Sequence, residues 1–207
     1  MKMPNITDEL RATVRAELPE IEEISDPDLR DKVVEAWAFA LAETSFRSIS
    51  EIPGAGAPGR NVLKTGTQAD HLRGVAIQCI RVADEFKTQF PDFPLKCDIL
   101  IAGALVHDVG KPWEFAPENQ TRWEDDPRET GWPSIRHPPY GAHVCLSVGL
   151  PEAVAHIATA HSREGEAILR SLECTIVYYV DHAYWRILKA GGMLADTEAV
   201  RPPAPPP

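Results

Sequence analysis

The stretch Leu100–Lys111, LIAGALVHDVGK, decides how the rest of the chain is read. Its apolar run begins at Leu95 and reaches Val109, with Ile99, Ala102 and Val106 on one face at helical spacing, and Gly110 and Pro112 then stop it. His107 and Asp108 fall in the last turn. An imidazole and a carboxylate adjacent in sequence can both reach one cation where the backbone leaves a regular helix, and glycine and proline permit that departure.

Helical spacing recurs on both sides of this segment. Asn5, Thr7 and Asp8 are capping residues for a short helix reaching about Leu18, after which Pro19, Glu20, Glu22 and Glu23 read as a solvated acidic connection. From Pro27 onward, Leu29, Val33, Trp37, Ala40, Leu41 and Thr44 share a helical face. Ile52–Thr67 carries Gly54, Gly56, Gly59 and Gly66 with Pro53 and Pro58, and reads as a loop. A long helix follows, in which Leu72, Val75, Ala76, Cys79, Ala83, Phe86 and Phe90 step by three and four as far as Pro91, with His71 in its first turn.

Residues 112–136 hold Trp113, Trp123 and Trp132 among prolines and acids without a period, and read as a long excursion over the surface. Further helical stretches span about Pro138–Val148, Pro151–His161 and Glu166–Leu188. In the last, IVYYV at 176–180 has the β-branched content of a strand, but helical spacing extends well past it. Alternating strand patterns are nearly absent, so the fold class is all-α. The closing RPPAPPP is Pro-rich, has no core to join, and reads as extended and mobile.

The chain has 207 residues, 43% hydrophobic and 25% charged, the balance of one soluble globular domain. No apolar run approaches the roughly 20 residues of a membrane span. MKMPNITDEL has no signal-peptide apolar region, so the expected location is cytoplasmic and no membrane partner is expected. Cys79, Cys97, Cys145 and Cys174 never form CxxC and mostly sit in apolar runs, as buried reduced thiols do. The formal net charge of -10 argues against a nucleic-acid polymer as partner. A small, anionic substrate is expected instead, held by a metal or a few basic side chains, and homo-oligomerisation stays open.

The chemistry-bearing residues cluster at helix ends. His71 opens a helix, His107–Asp108 closes one, His137 precedes one and His161 ends one, while Asp181 lies inside the last. Side chains so placed can converge at the mouth of a bundle. The two oxygens of Asp108 can bridge two ions, and a mixed nitrogen and oxygen set suits one or two ions of Mn, Fe, Zn, Ni or Co better than Ca.

These residues resemble the HD superfamily of metal-dependent phosphohydrolases, whose pattern is a His, a His-Asp pair and a later Asp: here His71, His107–Asp108 and Asp181. LIAGALVHDVGK is similar to the central motif, and HPPYGAH at 137–143 with IATAHSREG at 157–165 resembles the added elements of the dinuclear branches. The resemblance covers about residues 69–188. It implies a helical HD bundle over 69–190 with a long Trp/Pro-rich insert loop. Residues 1–68 would then be N-terminal helices and a Gly/Pro-rich loop packed on that core, and 191–207 a flexible Pro-rich tail.

The resemblance further implies a first metal on His71, His107, Asp108 and Asp181, and a second sharing Asp108 and adding His137 and His161. Asp108 would be central to catalysis, with metal-activated water attacking a small phosphate ester or nucleotide. The insert at 112–136 and the lack of GYP after His161 depart from the cyclic-di-nucleotide branch. Di-iron oxygenases of the superfamily, such as inositol oxygenase, satisfy the same ligand order and are the rival reading. Hydrolysis of a non-phosphate bond is a third, since the tryptophans of the insert suit a flat ring. A regulatory module without catalysis would be expected to have lost ligands.

Lys111, four residues after His107, is placed to bind an anion or move a proton, or equally to sit solvated at a helix C-terminus. Arg163 can contact phosphate, with a surface pair to Glu164 or Glu166 preferred. Arg60 and Lys64 can reach over the site from their loop, with solvation the simpler reading. His143 and His156 read as structural, and His182 as orienting Asp181.

Overall fold

The computed structural model describes residues 4–196. In chain order they form α1 (Asp8–Glu17), α2 (Pro27–Ala42), strands β1 (Pro53–Ala57) and β2 (Arg60–Thr67), α3 (Gln68–Gln89), α4 (Cys97–Val106), α5 (Lys111–Phe115), α6 (Pro117–Asp125), α7 (Pro127–Thr130), α8 (His137–Ser147), α9 (Glu152–Ala160) and α10 (Leu172–Ala190). The fold is an all-α bundle with one small two-stranded sheet.

The hub is α4. Every residue from Leu100 to Val106 is buried, as a helix that is apolar all round must be. Around it pack Val33, Trp37 and Leu41 of α2, Leu72, Val75 and Cys79 of α3, Val154 and Ile157 of α9, and Cys174 and Val177 of α10. Trp37 donates its indole N–H to the Leu105 carbonyl at 2.8 Å, serving one of the acceptors that the end of a helix leaves over. Two glycines set the spacing at this hub. A Cβ on Gly103 would lie 2.2 Å from Ile157 Cδ1, and one on Gly110 would lie 2.1 Å from the His137 carbonyl oxygen. Their bareness lets α9 and the start of α8 close onto α4.

Local signals fix the helix starts. Thr7 accepts from the Leu10 N–H, Asp26 caps α2 ahead of Pro27, and Thr67 with Asp70 forms a reciprocal capping box that opens α3 one turn before the site. No helix among the described residues is long and apolar enough to cross a membrane.

Four expectations are corrected. Residues 52–67 are mainly an antiparallel hairpin, with Ala55 opposite Val62 and Ala57 opposite Arg60 across a turn in which Gly59 takes a φ of 66°. The glycines of PGAGA had hidden the strand, because alternation cannot show where side chains are missing. The hairpin gains an outer neighbour: Lys64 N–H donates to the Met193 carbonyl at 3.0 Å and Ala195 N–H to the Val62 carbonyl at 2.8 Å. Second, the excursion at 112–136 is mostly short helices. Pro112, Pro117 and Pro127 stand at the first or second positions of α5, α6 and α7, where a missing N–H costs nothing. Third, the acidic connection is a 3₁₀ turn at Pro19–Glu23 in which Glu20 is buried against Arg73 at 2.9 Å. Fourth, α10 starts at Leu172, capped by Ser171, after a 3₁₀ turn at Arg163–Ala167. The Pro-rich tail from residue 197 lies outside the described residues.

Candidate metal centre

The end of α4 places His107 and Asp108 at the focus of the bundle. His71 comes from the first turn of α3, His137 from the first residue of α8, His161 from just beyond α9, and Asp181 from the middle of α10. All six are buried. The two oxygens of Asp108 face different partners. Oδ2 lies 3.3 Å from His71 Nε2 and 3.2 Å from His107 Nε2, while Oδ1 lies 3.3 Å from His137 Nε2 and 3.6 Å from His161 Nε2. Asp181 Oδ1 adds to the first group, 3.3 Å from His71 Nε2 and 4.0 Å from His107 Nε2. His71, His107 and Asp108 form one set of donors close enough to share an ion, and Asp108, His137 and His161 form another, so Asp108 belongs to both and Asp181 stands beside the first.

The orientation of the rings fits a cation. His107 Nδ1 sits 2.8 Å from the Ala104 carbonyl and His161 Nδ1 3.0 Å from the Ala158 carbonyl. A carbonyl only accepts, so both Nδ1 atoms carry the proton and both Nε2 atoms present a lone pair. His137 does the same toward the buried Glu114 carboxylate through Nδ1. Lone pairs of these three imidazoles thus point toward the Asp108 oxygens, and His107 Nε2 also lies 3.2 Å from His71 Nε2. Only a proton or a cation reconciles them. Asp181 Oδ1 and His71 Nδ1 have no hydrogen-bond partner in the protein.

The electrostatics agree. Burial pushes the imidazole pKa down at His71 and His161, whereas at His107 burial, the largest single influence, is outweighed by the Asp108 and Asp181 carboxylates and the Ala104 carbonyl together, and the pKa rises. Burial opposes charge on Asp108 too, but Lys111 and His107 hold its carboxyl well below the usual range. The negative field that draws a proton to His107 draws a metal ion equally.

A family model for the HD domain matches residues 69–184, more than half of the chain. The chain belongs to the HD-domain family. Neither the curated proteins nor the solved structures include a match to it. The HD domain runs from the first turn of α3 to late α10 and contains all six residues of the cluster. Membership makes this a metal-dependent HD-superfamily protein, and its buried cluster of His71, His107, Asp108, His137 and His161 fits the metal site of that family.

The other expected residues divide. Lys111 is not solvated: it is 1% exposed, opens α5 instead of closing α4, and lies 2.8 Å from Asp108 Oδ2. It also donates to the Ala55 carbonyl of β1 and, at 3.1 Å, to Gln68 Oε1. Arg60 and Arg163 line the cavity over the cluster, and Arg163 has no carboxylate within ion-pair distance among the described residues, contrary to the preferred surface pair. Lys64 turns away and donates to the Gly192 carbonyl at 2.7 Å. His182 packs at a tilt against the Tyr178 ring and bonds the Tyr178 carbonyl through Nδ1 instead of orienting Asp181. His156 accepts the Ser171 N–H, and His143 packs by Phe39 and Tyr140.

Gln68, Glu114, Arg136, Trp185 and Arg186 went unread. Gln68 donates to Asp108 Oδ2 at 2.9 Å, and Trp185 packs against His71 with ring centroids 4.8 Å apart. Both stand one helical turn from a ligand candidate, at i−3 from His71 and i+4 from Asp181, so that spacing was a usable signal. Glu114, Arg136 and Arg186 left no comparable trace. Burial works to raise the Glu114 pKa, but its contacts with His137 and the Arg136 guanidinium outweigh that and hold it below the usual value.

Proposed function

We propose that the protein is a metal-dependent phosphohydrolase acting on a small phosphate ester or nucleotide. The observation that carries this reading is a ring of arginines over the cluster in a chain of net charge -10. Arg60, Arg136, Arg163 and Arg186 line one cavity of about 610 Å³ with Asp108, Lys111, His137 and His161 at its base. Arg136 pairs with Glu114 and Glu164, whereas Arg60, Arg163 and Arg186 form no ion pair among the described residues. Guanidinium groups left unpaired around a concave site suit a phosphoryl group, which they grip by two parallel hydrogen bonds. The volume falls in the range of ordinary small-molecule sites.

Two divalent ions of the Mn, Fe, Zn, Ni or Co type would be held, one by His71, His107, Asp108 and Asp181 and the other by Asp108, His137 and His161. Such ions supply a reactive water at neutral pH and stabilise charge on a phosphoryl oxygen. The chain does the rest. Asp108 bridges the two ligand groups, Gln68 and Lys111 fix its rotamer, and Glu114 holds His137 with Nε2 turned to the site. Arg60, Arg163 and Arg186 bind the ester and neutralise it as it develops charge.

The test is elemental analysis of the purified protein, followed by phosphate release from generic phosphoesters and nucleotides with each metal. Hydrolysis should be lost in Asp108→Ala. In Arg163→Ala and Arg186→Ala, KM should rise about tenfold with metal content unchanged. Oxygen consumption by an iron-loaded, coloured protein without phosphate release would favour the di-iron oxygenase instead.

A further inference from the structure

Beside the arginine-ringed cavity lies a second, smaller compartment of about 220 Å³, lined by Pro58 and Arg60 of the hairpin, Glu114, Gln120, Trp132 and Arg136. Ala57, Arg60 and Arg136 line both spaces, so the two adjoin through shared walls. Resting on the phosphohydrolase reading, we propose that this compartment seats a flat heteroaromatic ring of nucleobase size, the organic half of the ester whose phosphate meets the metal centre.

Three observations converge. The size admits one ring system: an apolar cavity of about 150 Å³ takes benzene, and this one is modestly larger. Trp132 provides an aromatic wall with proline on both strands of the chain around it, Pro58 and Pro133. A flat ring gains by stacking there, and a bare sugar does not. Third, the lining is polar as well as apolar: it includes the Arg136 guanidinium and Gln120, which spends its amide N–H on the Glu114 carbonyl and keeps its side-chain oxygen as an acceptor. A ring edge bearing both lone pairs and N–H groups matches such a lining, and a hydrocarbon ring leaves it unmatched.

The insert therefore supplies selectivity through Trp132 and not through Trp113, which is committed to a stack on Tyr140 at 4.6 Å and 12°. The experiment uses the full chain. Calorimetry measures adenosine and uridine binding to EDTA-treated protein, and phosphate release compares their 5′-monophosphates with ribose 5-phosphate in Mn²⁺. At least one nucleoside should bind the wild type, Trp132→Ala should weaken it about tenfold or more, and Trp132→Phe should keep most of the affinity. The ratio of kcat/KM for the nucleotide over ribose 5-phosphate should fall by a similar factor in Trp132→Ala, a ratio in which any general damage to the fold cancels.

Failure of both nucleosides to bind the wild type, or an unchanged ratio in Trp132→Ala, overturns the ring compartment. Trp132-dependent nucleoside binding without phosphate release from any ester would leave the compartment standing and sink the phosphohydrolase reading.

Discussion

Asp108 concentrates the logic of the site in a single side chain: two carboxylate oxygens, each turned to its own pair of imidazoles, with Gln68 and Lys111 fixing the group between them. Changing His107 or Asp108 to Ala should abolish activity and strip most of the bound metal while the far-ultraviolet helical signal survives, because the helices are held by the apolar hub around α4. Undiminished metal in both variants, read by elemental analysis, would contradict the assignment. Glu114 offers a finer test. Glu114→Gln removes the charge behind His137 Nδ1 and should lower metal affinity about 10- to 100-fold, measured by competition with a chelating dye. At this scale the sequence was informative about ligands and poor about their supports. A histidine before an aspartate is a visible pair, but nothing in the spacing ties Glu114 to His137, twenty-three positions apart.

Helices were legible as far as their apolar faces and caps announced them, and α2, α3 and α4 lie close to where periodicity put them. The hairpin was not, since its first strand has almost no side chains to alternate, and the insert was misjudged because helix-opening prolines look like loop prolines. Contacts between elements are where sequence is mute, and Gly103 shows it. Gly103→Ala sets a methyl against Ile157 Cδ1 and should cost about 1–3 kcal/mol by overpacking, seen as a lowered midpoint in denaturant. Pairing it with Ile157→Val should recover part of the loss, a coupling that two independent sites would not show. At Gly110 the obstacle is the His137 backbone, which cannot step aside, so Gly110→Ala should damage both stability and metal content.

Over the whole molecule, the acidic surplus and the basic pocket are complementary facts. The four arginines of the cavity come from the hairpin, the approach to α8, the turn after α9 and α10, so their convergence had no footprint in one dimension. The core also governs the thiols. Burial pushes the Cys145 thiol up to about 12 and Cys174 to about 11, and Cys79 moves in the same direction, while Cys97 is only half-buried. Because the thiolate is the attacking species, the folded protein should consume about one equivalent of a thiol reagent quickly, at Cys97, and the other three only after unfolding. Mass mapping of the labelled peptides checks this.

The hydrogen bonds that residues 193–195 make to β2 have a consequence for anyone handling this protein. The wall that carries Arg60 is clasped from inside by Lys111 at Ala55 and from outside by residues 193–195, so an alteration there is felt at the mouth of the arginine-lined cavity. Ala195→Pro deletes one of the clasping N–H groups, and should speed amide exchange at Lys64 and raise KM without releasing metal.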